Sequence, residues 1–148
     1  MSVKVLLGAS GLLGTHLELE GTLIRPSRAE CDISQSSSMY HYFWKLFGAI
    51  QIDTIILSAA YTNVAKANEE KDLVYQTNVF GTRELCFSLK YWAEQFHQKI
   101  PRLAYISSDY VFNGTKGNYH PGDRVDPVPN NYYALTKALG EAYVKSYD

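Results

Sequence analysis

Three glycines spaced three residues apart, Gly8, Gly11 and Gly14, follow directly on the short apolar run Val3–Leu7, and that order admits few folds. A five-residue run of β-branched and aliphatic side chains ending at a glycine reads as a strand buried on both faces, the kind found in parallel sheets. Gly8 permits the tight turn, Gly11 lets the backbone approach a pyrophosphate, and Gly14 lets the following helix pack closely on the strand. Ser10, Leu12 and Leu13 lie inside the same turn, where the first amides of a helix and its partial positive charge suit phosphate groups. The turn therefore points to a βαβ unit that holds a dinucleotide.

The rest of the chain continues that alternation. Residues 12–18 read as a short helix, 22–25 as a second strand, and 34–38 as a cluster of helix caps before an aromatic-rich helix that stops near Gly48. Residues 54–58 form the clearest third strand, 68–98 a long helix, and 103–107 a fourth strand. A loop rich in Gly, Pro, Asn and Asp spans 109–130, longer than ordinary connections and hence a candidate functional loop. From Asn131 a last helix begins, with apolar residues at 135, 138, 139 and 142 along one stripe. The expected architecture is α/β: a Rossmann-type, doubly wound parallel sheet with helices on both faces.

Composition narrows the partners. The net charge of −1 supplies no basic field for nucleic acid or an anionic membrane surface, and no apolar stretch approaches the ~20 residues of a membrane span. With no signal-peptide pattern at the N-terminus, the chain reads as a cytoplasmic protein. The two cysteines, Cys31 and Cys86, follow no metal-ligand spacing and read as small buried hydrophobes, so no metal is expected.

Chemistry is concentrated late in the chain. Tyr133 and Lys137 stand four apart at the start of the last helix, so both face one ligand. An ammonium about 4 Å from a phenol, at an effective dielectric near 20, favours the phenolate by up to roughly 4 kcal/mol, which would bring a tyrosine into the useful acid–base range. Ser108 ends the fourth strand on the side where α/β sheets bind ligands, and its hydroxyl can orient a substrate carbonyl. Asn78, on the preceding helix, is expected to hold a water or a backbone carbonyl near Lys137. At the end of the second strand no Asp or Glu waits for a ribose 2′-hydroxyl. Arg25 stands there instead, a guanidinium suited to a 2′-phosphate, with Asp32 and Ile33 beside the adenine. NADP(H) is accordingly expected in preference to NAD(H).

Three stretches resemble the extended short-chain dehydrogenase/reductases, and among them the dTDP-4-dehydrorhamnose reductases: Ala59-Ala60-Tyr61-Thr62-Asn63-Val64-Ala65-Lys66-Ala67, Ile106-Ser107-Ser108-Asp109-Tyr110-Val111-Phe112-Asn113-Gly114-Thr115, and Asn131 through Glu141. The resemblance implies hydride delivery to the C4 ketone of a nucleotide-linked 4-keto-6-deoxy sugar, with Tyr133 supplying the proton, Lys137 also binding the nicotinamide ribose, and Ser108 in the place of the family's catalytic Ser/Thr. It places Ala59, Ala60 and Tyr61 on the cofactor and Asp109, Tyr110, Val111 and Phe112 on the sugar nucleotide. Ser58 departs from the Asn common after the third strand, and Ala65 from a commonly acidic residue. The same stretches are similar to the regulatory beta subunit of methionine adenosyltransferase, a dinucleotide-binding partner protein, and less closely to sugar-nucleotide epimerases. A dehydratase is disfavoured, since Tyr110 follows Asp109 where that class carries Glu. The resemblance covers about the first half of a typical family member, so residues 1–148 are expected to be an incomplete NAD(P)-binding domain without its substrate-binding region. The strand at 103–107 is then expected to be an exposed sheet edge, and that edge or the helices a route to self-association.

Overall fold

The computed structural model describes residues 2–147, and its centre is a four-stranded, wholly parallel sheet in the order β2-β1-β3-β4. The strands are β1 (Val3–Leu7), β2 (Thr22–Ile24), β3 (Thr54–Leu57) and β4 (Arg102–Tyr105). Between and after them run α1 (Leu12–His16), α2 (Ser36–Ala49), α3 (Lys71–Tyr75), α4 (Gly81–Gln95) and α5 (Tyr132–Lys145). The Asp53 carboxylate accepts from Val3 N at 2.6 Å, and its backbone bonds Val3 and Arg102, so one residue sets the register of β1, β3 and β4.

β1 connects to β2 on one side and β2 returns past it to β3 on the other. Because such crossovers are right-handed, α1 lies on one face of the sheet and α2 and α4 on the opposite one. This is the doubly wound, Rossmann-like arrangement that the alternation of elements predicts, and the reversal of direction between β1 and β3 opens a crevice at their carboxyl ends.

Alternate residues of the strands divide between the two faces. Val5, Leu7, Ile55 and Leu57 join the main core with α2 and α4, where the rings of Phe43, Phe47 and Trp92 pack together, Phe43 stacked 5.6 Å from Trp92. Each such ring contributes about 2–3 kcal/mol by leaving water. A smaller cluster of Ala67, Val74 and Tyr133 lies beneath the crevice.

The elements differ from the sequence reading in three respects. β1 keeps its expected limits, whereas β2, β3 and β4 end one or two residues early. The helix expected over 68–98 starts at Lys71 and contains a wide π turn at Gln76–Phe80 between α3 and α4, which the apolar periodicity could not reveal. The fourth strand starts at Arg102, one residue before the expected 103–107, so the edge it forms carries a charge.

Candidate functional site

The crevice holds a cavity of about 720 Å³, within the usual range for small-molecule sites. Gly8 to Leu13 form one wall, Ser58 to Asn63 the next, and Ile106, Ser107, Tyr133 and Lys137 the far end. These segments follow β1, β3 and β4 and open α5, so the sheet's carboxyl edge alone brings them together.

The three glycines serve different ends. Gly8 has φ +91°, and a Cβ there would lie 2.4 Å from Ala59 N; at Gly14 it would lie 2.3 Å from Gly8 O. Both glycines are required for β1, α1 and β3 to approach one another. At Gly11 a Cβ would meet only Gly8 O, at 3.4 Å, and Gly11 itself lines the cavity. That space is a cradle a side chain would fill, which fits a close-lying pyrophosphate. Ser10, Leu12 and Leu13 line the same wall, and the first-turn amides of Leu12 and Leu13 have no intrahelical acceptor.

Arg25 is not in this cavity. Its guanidinium donates to the carbonyl of Gly14 at 2.6 Å and to that of Leu17, tying β2 to the end of α1, so its place near the second strand is spent on backbone carbonyls rather than on a ligand. Arg28 takes the position at the rim: it lines the cavity, is 74% exposed and pairs with Asp32 at 2.9 Å. Asp32 and Ile33 line the cavity, Ile33 from a buried position. Partial burial raises the Asp32 carboxyl, yet hydrogen bonds from Ser34 and Arg28 outweigh it and hold the group below the usual carboxylate range.

Asn78 holds a backbone carbonyl, as expected, and that carbonyl is the one of Tyr61. It sits in the π turn, buried. Its side-chain oxygen accepts from Tyr61 N at 2.8 Å while its amide donates to Tyr61 O at 3.1 Å and to Thr136 Oγ1 at 3.2 Å. It thus fixes the cavity wall after β3 and links it to α5, with no bond to Lys137. Thr136, which sequence reasoning missed, is the buried partner that makes this link. Tyr61 and Ala59 and Ala60 line the cavity, and the Tyr61 hydroxyl donates to Glu70 at 2.6 Å, an interaction that with desolvation pushes the phenol up to about 12.

At the far end, Asn131 caps α5 by accepting from Ala134 N at 3.0 Å, which points Tyr133 and Lys137 along one stripe into the cavity. Both are buried. The Lys137 ammonium donates to Ile106 O at 2.7 Å and lies 4.1 Å from the centre of the Tyr105 ring. Burial pulls Lys137 down to about 8, against an opposing push from Glu141. None of the described residues hydrogen-bonds the Tyr133 hydroxyl, and its ring meets Tyr110 edge-on at 5.9 Å.

Ser107, rather than Ser108, lines the cavity, and its hydroxyl donates to Glu141. Ser108 caps the following 3₁₀ turn, Asp109–Val111, by accepting from Tyr110 N at 3.3 Å. Of the four residues the resemblance gives to the substrate, Asp109 and Tyr110 are exposed beside Tyr133. Val111 is 2% exposed, and Phe112 stacks on Tyr119 at 4.6 Å, so these two side chains are taken up in packing the loop. Among the described residues no three His, Cys, Asp or Glu side chains group to hold a metal, and no helix is long and apolar enough to cross a membrane.

A family model described as "RmlD substrate binding domain" matches residues 2–148. The chain is 30% identical to the spore coat polysaccharide biosynthesis protein SpsK of Bacillus subtilis (strain 168), over 98% of its own length and 49% of that protein's. It is also 30% identical to methionine adenosyltransferase 2 subunit beta of Pongo abelii, covering 93% of the chain and 41% of that protein. Among solved structures, that of dTDP-4-dehydrorhamnose reductase from Bacillus anthracis str. Ames in complex with NADP superposes with a TM-score of 0.74 at 30% identity, over 99% of this chain and 50% of that one. The chain spans about half the length of the curated relatives it matches.

Proposed function

Since the chain belongs to the RmlD substrate binding domain family, we propose that it forms the NADP(H)-holding and proton-delivering part of a reductase for the C4 ketone of a nucleotide-linked 4-keto-6-deoxy sugar. One observation carries the reading: a single cavity runs from the Gly11 cradle to Tyr133 and Lys137 on one face of α5. The wall from Gly8 to Gly14 would hold the pyrophosphate, Arg28 the 2′-phosphate that distinguishes NADP from NAD, and Lys137 the nicotinamide ribose. When bound, the cofactor supplies the hydride.

The chain's own groups manage the proton. Tyr133 presents its hydroxyl to the ketone oxygen and donates as negative charge develops there. Lys137, mostly protonated at neutral pH with a midpoint near 8, stabilises the phenolate left behind. Ser108 stands at the mouth of the 3₁₀ turn, outside the cavity lining, and its hydroxyl would donate to the same oxygen by giving up its 3.4 Å contact with Asp109. Asp109 and Tyr110, exposed beside Tyr133, are the contacts offered to the sugar nucleotide. A regulatory, non-catalytic role is the second reading, favoured by the 30% identity to the methionine adenosyltransferase subunit.

Fluorescence titration with NADPH and NADH tests the cofactor half: tighter NADPH binding is expected, abolished in Gly11→Val with the fold intact, and weakened towards parity in Arg28→Ala. Oxidation of NADPH in the presence of dTDP-4-keto-6-deoxyhexose tests the other half. Binding without turnover by the protein in its natural length would favour the regulatory reading.

A further inference from the structure

We propose that Tyr105 is a positioning residue for Lys137: the face of its ring is the floor on which the ammonium rests, and the slot for that ring exists because residue 140 has no side chain. The inference rests on the reading of Lys137 as the group that supports proton delivery, and it concerns what holds that lysine in place and charged.

Lys137 is 3% exposed, and an ammonium carries three N–H donors that burial deprives of water. Among the described residues its one hydrogen-bond acceptor is Ile106 O, at 2.7 Å. The remaining compensation comes from below. The Tyr105 ring centre lies 4.1 Å from Nζ, well inside the ~6 Å over which the negative face of an aromatic ring attracts a cation, and in a desolvated setting where that attraction is strongest. The Tyr105 hydroxyl reaches the Lys137 carbonyl at 3.5 Å, too long to be a strong bond, so the ring face and not the hydroxyl is the functional part.

An independent feature supports the ring's placement. Gly140 lies in the middle of α5, where glycine is disfavoured. A Cβ at that position would stand 2.4 Å from the Tyr105 hydroxyl oxygen and 2.9 Å from its ring carbon Cζ. The helix thus carries a glycine, one turn beyond Lys137, at a spot where a methyl group would collide with the hydroxyl end of the ring and stand 3.2 Å from Asn78 O, so that the ring could not keep its present place.

The other titratable or charged groups around this pair come from several elements. On α5 they are Tyr133 and Glu141, and Glu141 also receives the Ser107 hydroxyl and the Lys145 ammonium. Asp109 and Tyr110 stand on the 3₁₀ turn, Tyr61 follows β3 in the small cluster with Tyr133, and Cys86 on α4 faces Tyr105. Glu141 and the ring both favour the ammonium, so removing the ring's negative face should lower the protonation midpoint without abolishing the charge at low pH.

The test uses this chain with its lysine ε-carbons labelled with carbon-13 and titrated by NMR, the Lys137 resonance being identified by its loss in Lys137→Met. Tyr105→Phe keeps the ring face, and a midpoint within about 0.3 unit of the parent is expected. Replacing residue 105 by phenylalanines bearing one, two and three ring fluorines leaves the volume nearly constant while draining the ring face, and a stepwise fall totalling about one unit is expected. Gly140→Ala, which displaces the ring, should lower the midpoint in the same direction. A midpoint that stays level or rises across the fluorinated series, or that Gly140→Ala leaves unchanged, overturns the proposal. Neither readout needs cofactor or turnover: absent NADPH binding would sink the reductase reading alone, and a level midpoint with intact NADPH binding would sink this inference alone.

Discussion

The two sides of the cavity are built in different ways. On the β1–β3 side, backbone presses on backbone: Gly8 and Gly14 allow contacts that no side chain would permit, and Asn78 bonds both main-chain groups of Tyr61. On the β4 side, residues 107–126 are held mainly by side chains bonding within their own loop. Asn113 accepts from Thr115 and from the Tyr119 hydroxyl and donates to Asp126, while Phe112 and Tyr119 stack on each other. A wall made by close backbone approach has a single arrangement, since any atom added there collides. A loop braced by its own side chains can be altered piece by piece while the sheet stays whole. The first is a fixed surface; the second is a surface that can vary while the fold is kept.

That contrast can be broken most decisively at Gly8. Gly8→Ala forces a side chain into a left-handed backbone and against Ala59, and a loss of more than about 3 kcal/mol is expected in denaturant unfolding. A small loss would show that this wall is as adaptable as the loop. Next in size is Tyr133→Phe: under the reductase proposal, kcat for sugar-nucleotide reduction should fall by at least ~10²-fold while NADPH affinity changes little. Unchanged turnover would move the proton source to the loop side, to Asp109 first.

A smaller effect concerns pH. The folded midpoint of Lys137, about 8, lies below its ordinary 10.5, so below pH 8 both states hold the proton and the cost of burying the charge is fully present. Above pH 8 the folded state releases its proton first, the unfolded state binds more, and stability rises with pH. From about pH 8 upward Cys31 and Cys86, raised by burial to about 12 and about 11, act in the opposite sense, because the unfolded thiols lose protons that the folded ones keep. The expected outcome is a small net gain of about 0.4 kcal/mol between pH 7.5 and 9, followed by a decline, in chemical denaturation. Lys137→Met should flatten the rise; a rise that persists in that variant assigns it elsewhere. The smallest effect belongs to the loop: Tyr119→Phe should leave the global unfolding midpoint unmoved and speed amide exchange only over residues 113–120. A global shift would mean that the loop is coupled to the sheet after all.

Much of this molecule is legible along the chain because it depends on short-range pattern. The glycine turn, the buried strands, the cap at Asn131 and the four-residue spacing of Tyr133 and Lys137 are local, and the periodicities of strand and helix translate them directly into faces and ends. They fix the parallel α/β class and the pair that faces the cavity. Other assignments were decided by groups distant in sequence. Arg25 has the chemistry for a phosphate, but the carbonyls of Gly14 and Leu17 lie within its reach and take it, leaving Arg28 at the rim. Asn78 has the chemistry to hold a backbone carbonyl, but which carbonyl is set by the π turn, which aims it at Tyr61 and Thr136. Val111 and Phe112 belong to a substrate-like stretch, yet burial and the Tyr119 ring claim their side chains. A residue's type and spacing state what it can bond to; which partner it meets depends on where the folded backbone puts the competing acceptors and rings, and that is decided only once β1, β3, β4 and α5 have closed on one another.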